Sequence, residues 1–426
     1  GTMQYGQIMT LIPNITTVPG ITGTLSYQWK ANGTIITGAT GVTYTLTASE
    51  VGKTISCDIT SNAQTGTVSK TATGTVSKIT ISSASVSAVN SKTFNNSTAT
   101  TGGTILFSGT INSENPTCSS TIVWTSTNAG TSTVNVSGIS LTNMTDRYTL
   151  SVTTLSNVTP ANNATISKAT PTVFVYPTSS SITYGQSLQN STLTTTSAVV
   201  NGYSGAITGS YAWKTPLTNP ATAGNFTTAT VTFTPTLATN YNSIDFDISV
   251  TVVKAILTAT ADAQSKVFGA ANPSLTFQYS GWLNGDDSGD LTTLPSASTT
   301  VSNTSAVGVY SGAITLSGGV DENYSFSYAT ASFTVTKATL TVTADAKTKV
   351  YGEANPVLTF QYSGWKNGNG IADLTTAPTA GTTVTVTSPV AVYTNAITVT
   401  GGVDENYSFT YVAANNGVTK AVLTVT

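Results

Sequence analysis

Three carboxylates within five residues, Asp286-Asp287-Ser288-Gly289-Asp290, form the densest cluster of chemistry-bearing side chains in the sequence. Hard oxygen ligands in a glycine-containing loop suit Ca2+. The spacing does not match an EF-hand loop. A sister segment, Asn369-Gly370-Ile371-Ala372-Asp373, keeps only the last Asp, so the local fold does not require the first two. Two readings stand: a Ca2+ site confined to this loop, and a plain solvated turn, which is the favoured one. The surrounding residues 255–337 carry a net charge of about −4, the most acidic stretch of the chain.

Aromatic residues offer a second chemistry. Trp282 and Trp365, with Tyr279 and Tyr362, can form a sugar-binding platform. Tyr and Trp three positions apart fall on opposite faces of a regular strand. One is then core and the other lies at a loop or edge, and core packing is the favoured reading. Asp321-Glu322-Asn323-Tyr324 recurs as Asp404-Glu405-Asn406-Tyr407. Asp and Asn bond their own backbone in turns. The following Tyr is expected to pack inward, with its hydroxyl partnered. Neighbouring carboxylates in a tight turn do not face each other across a cleft, as glycoside hydrolysis requires.

Composition removes other chemistries. The 426 residues contain no His, which excludes Ser-His and Cys-His nucleophiles and imidazole metal ligands. The two cysteines, Cys57 and Cys118, fall in different segments and are expected to be unpaired. Fifteen Lys+Arg against seventeen Asp+Glu leave no basic footprint for nucleic acid. No run of ~18 apolar residues spans a bilayer. An enzyme is not expected. Sequons at Asn14, Asn96, Asn143 and Asn225 arise by chance in so Thr- and Ser-rich a chain.

The elements that position these residues come in repeats. Lys254–Thr336 aligns with Lys337–Thr419 without a gap, and about two thirds of positions are identical. Lys78, Lys168, Lys254, Lys337 and Lys420 punctuate the chain and read as edge or linker residues. They divide it into units 1–78, 79–168, 169–254, 255–337 and 338–426, each of ordinary single-sandwich size. The unit 169–254 dilutes the template: Tyr184-Gly185 stands for Phe268-Gly269 and Tyr351-Gly352, Ala223-Gly224 for Val307-Gly308, and Asn240-Tyr241 for Asn323-Tyr324. In 79–168, Phe94 stands near the Tyr-Gly position and Arg147-Tyr148 replaces Asn-Tyr. Gly1-Thr2-Met3 reads as an expression scar, no signal peptide is visible, and Lys420–Thr426 reads as the first strand of a further repeat.

Every unit reads as β. Thr, Val, Ile, Tyr and Phe alternate with period two between Gly, Asn, Pro and Asp breaks. Ala48–Gly52 is the window that reads as a short helical turn. Thr supplies roughly a fifth of the chain against 8% charged residues, as expected where outward strand faces must stay both β-prone and wet. Thr-x-Thr arrays also raise ice binding, but here they lie on ordinary alternating strands between divergent turns. Linkers are nearly absent: Ser332–Lys337 runs directly into Ala338–Val342. The expected architecture is all-β, a tandem array of Ig-like and MBG-like β-sandwiches forming an elongated semi-rigid rod and expected to be monomeric.

The two C-terminal repeats resemble the YGX-type MBG domain of bacterial adhesins and haemagglutinin-like surface proteins. The residues concerned are Lys349-Val350-Tyr351-Gly352, Asn355-Pro356, Leu358–Trp365, Asn367-Gly368 and Asn406–Phe409, with Lys266–Gly269 through Asn323–Phe326 in the first copy. Phe268 departs from the usual Tyr. Unit 79–168 is similar to the related YDG domain through Lys92–Asn96, Asn128–Gly130 and Val136–Leu141, with Asn95-Asn96 in place of Asp-Gly. Unit 169–254 is similar to MBG-like repeats through Ile182–Gln186 and Val231–Pro235. The first unit resembles bacterial Ig-like repeats, with Trp29 as the core Trp of strand C and Cys57 at the second Cys position; it has neither the partner Cys nor the tyrosine corner. These resemblances imply an extracellular bacterial surface adhesin or its stalk, a host or environmental glycan or protein as ligand, and no catalytic residue.

Overall fold

The computed structural model describes residues 3–13 and 23–424. Gly1 and Thr2, the Asn14 sequon and the last two residues of the Lys420–Thr426 segment lie outside the described residues. Among the described residues helical structure is confined to 3-10 turns at Ala48–Glu50, Leu188–Asn190 and Ile371–Asp373. None of them is long and apolar enough to cross a membrane. Everything else of regular structure is β, because the period-two pattern gives each strand one apolar face. In strand Ala255–Ala261, residues Ala255, Leu257, Ala259 and Ala261 are buried while Ile256 and Thr260 are exposed. Its counterpart Ala338–Ala344 repeats that pattern position by position. Leu257 and Leu340 have no exposed surface, and each such burial stabilises by about 1.5–3 kcal/mol.

The contacts group the chain into two compact units, and residues 169–254 contribute to both. The first comprises Gly1–Thr178, Leu193–Lys214 and Thr230–Ile248. At its start an antiparallel sheet runs Thr34–Ile35, Leu25–Ala31, Ile55–Ser61, Thr67–Thr71, with a separate pair of Ile8–Thr10 and Thr43–Thr45. Trp29 and Cys57 lie directly opposite each other in register and are both buried. The indole Nε1 donates to Gly41 O at 2.9 Å, so the core Trp leaves no polar atom unpaired. Glu50, also buried, accepts from Thr47 N at 2.8 Å and from the Tyr44 hydroxyl at 2.9 Å. A second core gathers Trp124, Val134, Val136, Ile139 and Ile166 beneath strands Cys118–Trp124, Val134–Leu141 and Leu155–Val158. Cys57 and Cys118 are free thiols.

The second unit comprises Ser179–Thr192, Thr215–Ala229 and Ser249–Thr426. It contains two copies of one topology. A three-stranded sheet orders Phe277–Ser280, Ala255–Ala261, Tyr324–Ala329; a four-stranded sheet orders Gln264–Val267, Ala331–Thr336, Gly308–Ser317, Ser296–Thr299. The last repeat has the same two sheets from Ala338–Ala344 and Lys347–Val350 onward. Ala259, Ile314, Leu316, Phe333 and Val335 fill the space between the sheets of the first copy. Both sheets contain parallel pairs. The opening strand pairs parallel with Tyr324–Ala329, and the next strand pairs parallel with the closing strand Ala331–Thr336. A parallel pair needs a long crossover, and here nearly the whole repeat supplies it. The start and end of each repeat are thereby brought close together.

Candidate functional site

The punctuating lysines lie where a closing strand hands over to the next opening strand, and four handovers use one set of bonds. The residue after the Lys pairs in parallel with a Tyr: Ile79 with Tyr148, Ala169 with Tyr241, Ala255 with Tyr324, Ala338 with Tyr407. Its N–H donates to the carbonyl just before that Tyr, at 3.0, 2.9, 2.9 and 2.9 Å in turn. The ammonium groups of Lys254 and Lys337 each donate to the carbonyl three residues before the Tyr, Asp321 O and Asp404 O, at 2.7 Å. Lys78 does the same to Thr145 O at 2.5 Å. Each of these three boundary lysines therefore closes the turn before the handover Tyr of the repeat it leads into. The turn is tightened further by Asp321 Oδ1, which accepts from Asn323 N at 2.7 Å and Tyr324 N at 3.0 Å.

On the other side of each handover stands an aromatic residue of the preceding repeat. Tyr5, Phe94, Tyr184 and Phe268 donate their N–H to Ser77, Ser167, Val253 and Thr336 O at 3.0, 2.8, 2.8 and 2.8 Å. That backbone bond fixes each ring under the next repeat's Tyr. The ring pairs are edge-to-face throughout: Tyr5–Tyr148 at 5.9 Å, Phe94–Tyr241 at 5.3 Å, Tyr184–Tyr324 at 5.5 Å and Phe268–Tyr407 at 5.7 Å. Such pairs contribute about 0.5–1.5 kcal/mol beyond their buried area. The Asn before the Tyr reaches back across the handover. Asn240, Asn323 and Asn406 Oδ1 accept from Ala129, Ala223 and Val307 N at 2.9, 2.8 and 2.9 Å. At the first handover Arg147 takes the place of Asn and lies over the Tyr5 ring, 5.8 Å from its centroid.

The Tyr hydroxyl serves its own repeat. Tyr148, Tyr241, Tyr324 and Tyr407 accept from the N–H of Ile111, Tyr203, Leu283 and Lys366 at 3.0, 3.2, 2.8 and 2.9 Å. Burial pushes the Tyr148 and Tyr324 hydroxyls up to about 12, and the neighbouring Glu114 and Asp286 carboxylates push the same way. The glycine after the aromatic leaves room for the next repeat: a Cβ at Gly269, whose φ is +75°, would come within 2.4 Å of Lys366 Cβ.

Each of the sequence-predicted metal residues has one carboxylate oxygen in a hydrogen bond. Asp286 Oδ2 accepts from both the Tyr184 and the Tyr324 hydroxyl, at 2.9 Å each. Asp287 Oδ1 accepts from Gly289 N at 2.6 Å, and Asp290 Oδ2 from Asp287 N at 2.9 Å. Among the described residues no group of three or more Asp, Glu, Cys or His side chains is placed to hold a metal ion, so the structure does not bring Asp286, Asp287 and Asp290 together as a Ca2+ cage. The aromatic expectation needs a geometric correction. The strand ends at Ser280, and Gly281 at φ +104° turns the chain, so Trp282 returns to the side of Tyr279 instead of the opposite face. The rings of Tyr279 and Trp282 lie 5.1 Å apart, and Trp282 meets Tyr324 edge-on at 5.5 Å. Trp365, Tyr362 and Tyr407 repeat that arrangement. Both indoles are half-buried supports of the handover Tyr.

Sequence reasoning missed two features. Tyr5-Gly6 occupies the Tyr-Gly position of the first repeat, and the pair was readable as a motif well ahead of Lys78. The back-reaching Asn has no local signature, because its partner lies about a hundred residues earlier in the chain.

Residues 257–334 and 340–416 each match the family model of the MBG domain (YGX type). No curated protein matches the chain.

Proposed function

The last two repeats are MBG domains of the YGX type, and on that premise we propose that this chain is a non-enzymatic stretch of a bacterial cell-surface adhesin. It works outside the cell as a semi-rigid stalk that carries an adhesive element. The observation supporting this reading is the recurrent handover. Closing strand, Lys and opening strand follow without spacer residues, and a buried ring pair and a back-reaching side chain lock each step. Stiffness then comes from geometry repeated along the chain, with no need of a ligand. The first repeat would be a bacterial Ig-like domain and the second a YDG-like one, with boundaries at the punctuating lysines.

Small-angle scattering of the whole chain tests this. Five modules of roughly 30 Å in line reach on the order of 150 Å, which for a thin rod gives a radius of gyration of about 43 Å. A single compact globule of this length has one of about 22 Å. A value near the compact figure would overturn the stalk reading.

A further inference from the structure

The handovers differ in one respect that follows a rule. In three repeats the N–H that serves the Tyr hydroxyl opens a tight turn: Ile111-Asn112-Ser113-Glu114, Leu283-Asn284-Gly285-Asp286 and Lys366-Asn367-Gly368-Asn369. In each the fourth residue's N–H returns to the first residue's carbonyl, at 3.0, 3.0 and 2.9 Å. The second residue has φ of +56°, +56° and +54°, so the three turns are the same. Their last residues therefore stand in equivalent places and face the aromatic of the preceding repeat.

Where that aromatic carries a hydroxyl, the turn ends in a carboxylate. Tyr5 donates to Glu114 Oε1 at 2.8 Å, and Tyr184 donates to Asp286 Oδ2 at 2.9 Å. Where it is Phe, the turn position is neutral. Phe268 faces the repeat whose turn ends in Asn369; Phe94 faces the repeat where Tyr203 enters a plain hairpin between Val199–Gly202 and Gly205–Ile207, and Tyr203-Ser204-Gly205-Ala206 carries no carboxylate. A hydroxyl buried without an acceptor, or a carboxylate buried without a donor, is penalised, so each mismatched pairing is disfavoured.

One aromatic of this series is uncovered. Tyr351 holds the standard backbone bond, to Thr419 O at 2.9 Å, yet is 47% exposed where Tyr5, Phe94, Tyr184 and Phe268 are 4–6% exposed. The space beside Gly352 is open, whereas Gly185 and Gly269 are crowded by Leu283 and Lys366 of the succeeding repeat. Val390, the counterpart of Val307, is also exposed. The aromatic, the glycine and the amide-bearing Val that receive a repeat elsewhere are thus all presented here. We infer that the face formed by Tyr351, Gly352 and Val390 docks a β-module of this same architecture, and selects one whose Asn-Gly turn ends in Asp or Glu. The handover Tyr of the incoming module covers the Tyr351 ring, its Asn accepts from Val390 N, and its carboxylate accepts from the Tyr351 hydroxyl. This inference stands on the handover geometry and holds whether or not the chain is a surface stalk.

The test extends the full chain after Thr419 with a second copy of residues 337–419, unaltered or with the turn position made acidic (Asn369→Asp in the appended copy). Tyr351 nitration by tetranitromethane, followed by peptide mass spectrometry, reads ring accessibility. The acidic copy is expected to slow nitration of Tyr351 at least about tenfold more than the neutral copy. Tyr351→Phe is expected to remove the difference, read as equal hydrogen exchange at Val390 in the two extended chains. Equal nitration with the two copies would overturn the selection rule, and no protection by either would overturn the docking face. Dimerisation of the unextended chain with Tyr351 protected would name a second copy as the occupant and overturn the assignment. Within the native chain, Asp286→Asn should expose Tyr184 to nitration, and amide protection at Ala223 should recover when Tyr184→Phe is added. A double variant no better protected than Asp286→Asn would also overturn the rule.

Discussion

Removing one side-chain amide should loosen a different repeat from the one that carries it. Asn406 Oδ1 accepts from Val307 N at 2.9 Å, and this N–H sits in a half-buried position. Asn406→Ala leaves that donor without its acceptor while sparing the turn that contains residue 406. Asp404 Oδ1 still accepts from the backbone N of residue 406 and from Tyr407 N, and Lys337 still donates to Asp404 O. Orphaning a buried backbone donor costs about 1–3 kcal/mol. At about 1.4 kcal/mol per tenfold, the Val307 amide should exchange with solvent roughly 5- to 150-fold faster. Asn406→Asp keeps an acceptor oxygen in place and should restore most of the protection. Native-state hydrogen exchange resolved to Val307, with Tyr324 N as a reference in the same repeat, is the assay. A change below about twofold at Val307 would refute the reasoning. So would a uniform acceleration across residues 338–419, which would mean that the turn itself had come apart.

Other consequences can be checked by ordinary denaturation experiments. Gly269→Ala meets Lys366 Cβ and also a left-handed backbone, whereas Gly352→Ala meets only the backbone penalty of about 1–2 kcal/mol, so the first should lower the melting temperature more than the second. Tyr44, Tyr148 and Tyr324 hold their protons up to about 12 when folded and to about 10 when unfolded. The unfolded chain ionises first, so their contribution is intact below pH 10 and is lost as pH rises towards 12. Urea midpoints that stay level up to about pH 12 would contradict this. Asn416 is fully buried with Oδ1 unpartnered, at the place filled by Phe333 in the sister repeat, so Asn416→Phe should stabilise the last repeat by about 1–3 kcal/mol in urea titration. Melting curves in excess Ca2+ and in chelator should superimpose, since one oxygen of each of Asp286, Asp287 and Asp290 is held in a hydrogen bond and the three are not gathered as a metal cage; a rise with Ca2+ that is lost on Asp287→Ala would show otherwise.

The sequence by itself determined the all-β class, the tandem repeats and the core faces. These depend on local periodicity: the alternation in Ala255–Ala261 puts Leu257 inside wherever the strand ends up. It also determined the punctuation by Lys and the inward Tyr324 and Tyr407, because near-identical segments repeat their turn chemistry. Tertiary structure alone decided what those residues do. Strand alternation put Trp282 opposite Tyr279, but one positive φ at Gly281 reversed the face, and no periodicity rule sees a single dihedral. Asp286 read as a residue of a solvated turn or, less favoured, as a cation ligand, because composition counts charges. Its role as acceptor for hydroxyls of two successive repeats depends on Tyr184, about a hundred residues upstream. Asn323 and Asn406 likewise looked like turn residues and are ties to the preceding repeat. Local pattern fixes which way a side chain points within its own strand. Only the parallel pairing that brings the two ends of each repeat side by side fixes what that side chain meets.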